Sequence, residues 1–434
     1  MPRQKPAENE LLNKLDRLPR QEELFVKVEK AVGAVAEFYG FVKIYTPLVD
    51  DPRFYMPLIK NGFFRDSSPV FGKSKSGIDI FLRPSVALSL VRAYLTHKMN
   101  DWPQPVKLFF TGDGILAVSR SSSTFLARSE VGLAMIGEEG PVAEAEIVQV
   151  IWKAAEKFGF KNDEIEIRVN ATGCSDCAGS FRSALASHFR SRAPRFCKNC
   201  KKNLKKTPTK ILKCEEEKCL IVSAGAPQAL DFLCESCKKH LKGFLEFLDE
   251  VKIPYFLDSK FFKDDSRYGS LIFDFVWKKK VTDGEKKIDY LVFSEGGRMT
   301  RAATVMAGKK IDVAAGSLFL DGITEVFSRK IAGHGEDREP KVFLTHLGEL
   351  AKRKGLALLE ELRVGGIEAK ESLGRDSIKS QLKVAEKSGA TLALILGQKE
   401  ALDNTIIVRE VQSGIQETIP QEKLIEFLKQ KLKK

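Results

Sequence analysis

No stretch of about eighteen uninterrupted apolar residues occurs in this 434-residue chain, which removes a membrane-spanning helix from consideration. The opening MPRQKPAENELLNKLDRLPRQEE lacks the apolar region of a secretory signal, so a cytoplasmic protein with no membrane partner is expected. There is no internal repeat and no low-complexity tract. Cysteine is missing outside residues 174–237, and the fold needs no disulfides. Its 43% hydrophobic and 30% charged residues are ordinary for a soluble chain with an ample core and room for two or three domains. Acidic residues are absent from one stretch: Arg182 to Lys213 holds eleven Lys or Arg and no Asp or Glu, in a chain of net charge +13. Like charges this dense repel unless something neutralises them, which points to a polyanion; a solvated basic face is the plainer reading. Charge alone does not separate DNA, RNA and an acidic membrane surface.

What is present in that window is cysteine in four pairs: CSDC (Cys174, Cys177), CKNC (Cys197, Cys200), CEEEKC (Cys214, Cys219) and CESC (Cys234, Cys237). Zinc takes four soft ligands in a tetrahedron, and a CxxC knuckle supplies two from one tight turn, so eight thiolates make two four-cysteine structural sites. Neighbouring lysines lower the thiol pKa and offset the charge of such a centre. Spacing does not say which pairs share an ion; nesting the middle two pairs inside the outer two is the expectation. No His sits at ligand spacing, and closed all-cysteine sites leave no open position, so a catalytic zinc is not indicated.

Along the chain, residues 22–39 carry apolar positions at helical spacing, and GFVKIYTPLV reads as a turn into a strand. IDIFLRPSVALSLVRAYLTHKM reads as a strand ending at Arg83-Pro84 and a helix from near Ser85. VKLFFTG, LIFDFVW and DYLVFSEGG are strand-like. The basic cysteine-rich window, residues 171–242, interrupts this α+β pattern as an insertion within a first domain of residues 1–330. Polar RKIAGHGEDREP marks a linker, residues 331–340. Residues 341–434 then alternate strand and helix, which argues for a mostly parallel sheet with helices on it. Their 17 basic and 13 acidic residues leave them mildly positive.

This order of domains, with the words LRP before VALSLVRAYLTHKM, PQPVKLFFTG, KILKCEEEKC, AGAPQALDFLCESCKKHL and LGELAKRKGLALLEELRVGGIEAKESLGRDSIKSQLKVAEKSGATLALILGQKEALDNTIIVREV, resembles bacterial histidyl-tRNA synthetases, which are class II aminoacyl-tRNA synthetases. The resemblance spans nearly the whole chain. It implies a six-stranded antiparallel sheet flanked by helices, a C-terminal α/β domain that reads the anticodon stem, and a homodimer joined through motif 1, whose place IYTPLVD with Pro47 occupies. Family members activate histidine with ATP, which calls for cations on the phosphates and carboxylates on Mg²⁺ and on the substrate amino group.

The matching positions have changed. Motif 2 carries an Arg and, two residues on, a Glu; here these are Leu116 and Val118. Glu130 stands where a Gln helps hold the substrate, and Ala134 where a Glu binds the α-amino group. An expected Arg-Pro-Glu reads Arg83-Pro84-Ser85. Motif 3 places Ile323 at the Arg of the γ-phosphate. The histidine-specific motifs leave Lys263 at the catalytic Arg, keep Tyr268 at a Tyr, and retain Gly296, Gly297 and Arg298 from Gly-Gly-Arg-Tyr-Asp. Lys is a poor stand-in for a bidentate Arg. Losing one such donor typically costs about 3–4 kcal/mol. Two lost phosphate arginines therefore lower adenylate formation by about four to five orders of magnitude if the costs partly add.

The expectation is a tRNA-binding relative, with tRNA-His as the natural candidate, that has lost histidine activation, so that ATP and Mg²⁺ are doubtful cofactors and structural zinc is the implied metal. The candidate residual pocket is Arg83, Glu130, Tyr268 and Arg298. Arg83, Arg120, Arg128, Lys263, Arg267, Arg298 and Arg301 either hold phosphate or RNA or pair with Asp264, Asp265 and Asp274. Candidate RNA contacts are Lys201, Lys202, Lys205, Lys206 and Lys210 in the insertion and Arg375, Lys379 and Lys383 in the C-terminal domain; the latter also fit an ordinary amphipathic face. Two rivals are an active histidine–tRNA ligase with a rebuilt site, and a regulatory subunit like the synthetase-like partner of ATP phosphoribosyltransferase, whose kind generally lacks the anticodon domain.

Overall fold

The computed structural model describes residues 16–64, 68–77, 79–117, 125–204, 207–262, 267–278, 290–330, 341–372 and 377–432. It divides into two compact units, Met1–Lys330 and Ile331–Lys434.

The described strands of the first unit are, in chain order, β1 (Val42–Ile44), β2 (Val49–Asp50), β3 (Ser68–Lys73), β4 (Asp79–Leu82), β5 (Val106–Ala117), β6 (Phe125–Ile136), β7 (Ile165–Gly173), β8 (Tyr255–Leu257), β9 (Gly269–Lys278), β10 (Tyr290–Arg298) and β11 (Val313–Phe319). Six form the body in the order β5-β6-β11-β10-β9-β7, every neighbour antiparallel. The sheet as a whole is mixed, because β1 and β8 add in parallel to β5 and β7. β3 pairs with β5 and carries β4 and then β2 beyond it.

Side chains alternate between the two faces of this body, as the period of a strand requires. Along β6, Val131, Leu133 and Met135 enter one core, while Ala134 and Ile136 enter the other. Helices Pro19–Phe38, Val142–Lys157, Glu235–Glu250 and Leu320–Lys330 contribute to the first core; Pro52–Lys60, Val86–Thr96 and Thr300–Ala307 contribute to the second. The helix expected from residue 22 starts earlier, at Pro19, since proline suits the first helical position, where no amide donor is needed. The strand expected to reach Pro84 stops at Leu82, and Ser85 caps the helix that follows. Gly322 lets helix Leu320–Lys330 lie on β10: a Cβ there would stand 2.5 Å from the Val292 carbonyl oxygen.

The cysteine-rich window is helical. The chain leaves β7, runs through helices Ser175–Arg190, Lys198–Asn203 and Glu217–Ala224, and returns through Glu235–Glu250 to β8. Phe181, Leu185, Phe189, Phe196 and Ile211 give it a small core of its own.

In the second unit β12 (Val342–His346), β13 (Ala369–Glu371), β14 (Leu392–Leu396), β15 (Thr405–Glu410) and β16 (Gln416–Pro420) form a sheet in the order β13-β12-β14-β15-β16. β12 runs parallel to β13 and β14, while the β14/β15 and β15/β16 ladders are antiparallel. The sheet is therefore half parallel, where a mostly parallel one was expected. The physical reason is connection length: a parallel return needs a crossover of about a dozen residues or more, and only Gly397, the six-residue helix Gln398–Asp403 and Asn404, at φ 49°, separate β14 from β15. Among the described residues no helix is long and apolar enough to cross a membrane.

Candidate functional site

One row of residues across the second face of the body is polar. Arg168 on β7 lies beside Asp274 on β9, Asp274 beside Glu295 on β10, and Glu295 beside Ser317 on β11. Asp274 stands in a strand that is otherwise largely apolar, and a buried charge there needs a partner. Arg168 donates to both oxygens of Asp274, at 3.1 and 2.7 Å. Glu295 accepts from Arg267 at 3.1 Å and from Arg128 at 3.5 Å, and the Arg128 guanidinium also stacks 4.1 Å from the Phe319 ring centre. Ser317 donates to Glu130 at 3.1 Å. Burial pushes the Glu130 carboxyl above the ordinary range, and Arg267 and Arg128 pull it only part of the way back. The result is a buried floor of carboxylates and guanidinia that mostly satisfy one another.

The described positions that the resemblance marks as catalytic do not share one environment. Ala134 is fully buried in the second core, and Leu116 is half-buried against it. Ile323 is 1% exposed and sits in the first core, so the structure does not bring its side chain together with the other two. Val118, Arg120, Lys263, Asp264 and Asp265 lie outside the described residues.

Of the candidate residual pocket, Glu130 belongs to the polar floor and Tyr268 is buried in the second core. Arg83 is turned to the backbone: it donates to the carbonyls of Thr46 at 2.6 Å, Pro47 at 3.2 Å and Asp113 at 2.7 Å, and to the Thr46 hydroxyl at 2.7 Å. It thereby ties β5 to the segment between β1 and β2. Next to it Ser85 is buried, and its hydroxyl makes no hydrogen bond. Arg298 faces away from the floor. It donates to Glu144, fully buried at the start of helix Val142–Lys157, and to the carbonyls of Glu138 and Gly140, both at 2.7 Å. His240 also contacts Glu144, at 3.0 Å. Two of the four candidates are thus structural clamps.

Arg168, Glu295, Glu144 and His240 were not singled out in the sequence. A lone charge within an apolar stretch, as in YLVFSEGG, is the signal that reveals Glu295; helix-borne Glu144 and His240 carry no such signal.

The eight cysteines gather into two sets, Cys174, Cys177, Cys234 and Cys237, and Cys197, Cys200, Cys214 and Cys219, each with all four sulfurs within 4.8 Å of one another. Four sulfurs about 2.3 Å from one ion at tetrahedral angles stand about 3.8 Å apart. The separations Cys174–Cys177 (3.5 Å), Cys177–Cys237 (3.9 Å) and Cys197–Cys214 (3.9 Å) match that cage and are far too long for disulfides. Backbone amides point at sulfur: Cys174 to Cys237 at 3.3 Å, Cys234 to Cys177 at 3.1 Å and Cys197 to Cys219 at 3.4 Å. The Cys200 and Cys237 amides draw the Cys197 and Cys234 thiols down to about 7, while burial pushes Cys200 and Cys237 up. A cation held by such a set would displace the remaining thiol protons.

Of the candidate RNA contacts, Lys201 and Lys202 are exposed on helix Lys198–Asn203, and Lys210 is half-buried. Lys379 and Lys383 are exposed one turn apart on helix Ile378–Lys387, whose buried face carries Gln381 and Ala385. Lys205, Lys206 and Arg375 lie outside the described residues.

An antiparallel sheet flanked by helices, with a second α/β unit following it, is the architecture of a class II aminoacyl-tRNA synthetase. Residues 341–431 match the family model described as an anticodon binding domain. A histidine–tRNA ligase of Pelotomaculum thermopropionicum is 27% identical over 423 residues, 96% of each chain. The apo structure of S. aureus histidyl-tRNA synthetase is 25% identical, with a TM-score of 0.67 over 95% of this chain and 97% of that one. A Bacillus halodurans structure described as an ATP phosphoribosyltransferase regulatory subunit/histidyl-tRNA synthetase, 13% identical, shares the fold, with a TM-score of 0.59 over 88% of this chain and 96% of that one. Over nearly its whole length the chain is similar to histidyl-tRNA synthetases.

Proposed function

We propose that this chain binds tRNA, with tRNA-His the first candidate, and does not activate histidine. The observation that carries the reading is the replacement of charge by packed hydrocarbon: Ala134 and Ile323 are buried in the two cores, Leu116 packs against one of them, and none of the three offers a hydrogen bond. Arg83 and Arg298 do not compensate, because backbone carbonyls and Glu144 engage them. The absence of histidine-dependent ATP–pyrophosphate exchange, alongside tRNA affinity that falls steeply between low and moderate salt, is the expected result. Exchange at a synthetase-like rate retires this reading in favour of an active ligase with a rebuilt site. The buried carboxylates Glu130, Asp274 and Glu295 are the observation on that second reading's side.

Zinc at both cysteine sets is part of the proposal, as a structural ion in each closed four-thiolate site. So is a homodimer in the cytoplasm. In and just before the motif 1 segment the apolar side chains of Phe38, Val42, Tyr45 and Val49 are exposed, and Val49 also lines a groove with Pro47, Asp50, Asp51, Arg53 and Phe54. Sedimentation of the wild type as a dimer and of Tyr45→Asp as a monomer is expected.

A further inference from the structure

We infer that the two four-cysteine sites have different tasks: the ion held by Cys197, Cys200, Cys214 and Cys219 holds the basic face of the insertion in its RNA-binding shape, while the ion held by Cys174, Cys177, Cys234 and Cys237 clasps the base of the insertion and leaves RNA binding nearly untouched. The inference rests on the reading above, in which the insertion meets tRNA and both sets hold zinc.

The outer set joins the two passages by which the insertion leaves and rejoins the sheet. Cys174 caps helix Ser175–Arg190 directly after β7, and Cys234 caps helix Glu235–Glu250. Each helix start donates an amide to a sulfur of the other pair. The junction is tight, since Gly173 at φ 75° lies so close that a Cβ there would stand 2.3 Å from the Cys177 Cβ. This base has a second anchor that needs no ion: Phe244 and Leu248 of helix Glu235–Glu250 are fully buried in the main core, and His240 of the same helix reaches Glu144.

Among the described residues, no ligand of the inner set and no element that carries one enters the two cores of the sheet; they pack in the small core, to which Phe262 after β8 also contributes. Its ligands cap or belong to helix Lys198–Asn203, the 3₁₀ segment Pro208–Lys213 and helix Glu217–Ala224. These elements have six, six and eight residues, well below the roughly 12–15 at which an isolated helix becomes even marginal. Cys197, Cys200 and Cys219 are themselves buried members of the small core that packs them. The cations stand next to the ligands in the chain: Lys198 follows Cys197, Lys201 and Lys202 follow Cys200, and Lys213 precedes Cys214, all four lysines exposed. Fixing the sulfurs therefore fixes the lysines. A filled four-thiolate zinc centre also carries two net negative charges, and it sits amid the cation run, where it relieves the mutual repulsion of the face.

The test uses the full-length zinc-loaded chain and three double variants: inner Cys200→Ser/Cys219→Ser, outer Cys174→Ser/Cys237→Ser, and Lys201→Ala/Lys202→Ala. Zinc per chain is measured by elemental analysis, and affinity for labelled unfractionated tRNA is followed against salt. The wild type is expected to hold two ions and each cysteine variant one. The inner variant should bind at least tenfold more weakly at low salt, its log–log salt slope reduced by about 0.7–0.9 for every phosphate it no longer neutralises. The lysine variant should reproduce that loss with both ions retained, and the outer variant should bind within threefold of the wild type. Chelation followed by Zn²⁺ should restore binding to the wild type and not to the inner variant, which separates loss of the ion from irreversible misfolding. An inner variant that lacks its ion yet keeps the wild-type salt slope overturns the inference, as does an outer variant that loses as much affinity as the inner one. A lysine variant that binds like the wild type overturns the underlying reading of the insertion as an RNA-binding face.

Discussion

Restoring the missing γ-phosphate arginine is the sharpest perturbation of this protein. Ile323→Arg places a guanidinium at a position 1% exposed, inside the first core on helix Leu320–Lys330. The neighbouring Gly322 holds that helix against β10, with only 2.5 Å between its would-be Cβ and the Val292 carbonyl, so the helix has little room to retreat. An unpaired buried charge costs about 3–5 kcal/mol, and overpacking adds to this. The control Ile323→Val removes one methylene for about 0.5–1.5 kcal/mol. Thermal unfolding of the arginine variant should therefore occur on the order of 10 °C lower, with Ile323→Val within a few degrees of the wild type, and neither variant should gain histidine-dependent ATP–pyrophosphate exchange. An arginine variant that unfolds at the wild-type temperature and begins to exchange pyrophosphate would refute the reasoning, because it would mean that position 323 faces a usable nucleotide site.

Three further outcomes follow from the geometry. Burial raises the Glu130 carboxyl, so the folded state binds its proton more tightly than the unfolded chain, and stability falls as pH rises from the unfolded value of 4.5 through the folded one. Glu130→Gln should accordingly raise the melting temperature at pH 8 and lose that advantage below pH 4.5; an advantage independent of pH contradicts the assignment. Ser270 occupies φ 58° in β9, where an L side chain costs about 1–2 kcal/mol against glycine's extra chain entropy of about 0.5–1 kcal/mol, so Ser270→Gly should stabilise by up to about 1.5 kcal/mol in urea unfolding. Removing the exposed Lys379 and Lys383 together should lower the salt slope of tRNA binding by up to about 1.4–1.8, whereas an unchanged slope assigns that helix face to solvent.

Much of this was legible in the chain itself. Four cysteine pairs point to two four-sulfur sets because a CxxC turn places two sulfurs by local geometry alone, and Leu116, Ala134 and Ile323 stand where the family resemblance expects charge, which no conformation of a hydrocarbon side chain supplies. The acid-free run from Arg182 to Lys213 is likewise a property of composition. The α/β alternation after residue 341 located the elements of the second unit. The direction of β15 was less legible, because it depends on the short connection after β14.

What the tertiary structure alone decided is which distant groups meet. The strand register set Arg168, Asp274, Glu295 and Ser317 in one row, although they come from four strands spread over some 150 residues. Packing turned Arg83 onto the carbonyls around Thr46 and Arg298 onto Glu144, so that two arginines of the candidate pocket became clamps. The same folding drew Cys174 and Cys177 to Cys234 and Cys237, leaving the middle four sulfurs to each other. Local spacing encodes a turn or a helix face, because those geometries involve neighbours in the chain. The partner of a buried charge or a sulfur is set by the long-range packing that brings segments together, and that packing is a property of the whole fold.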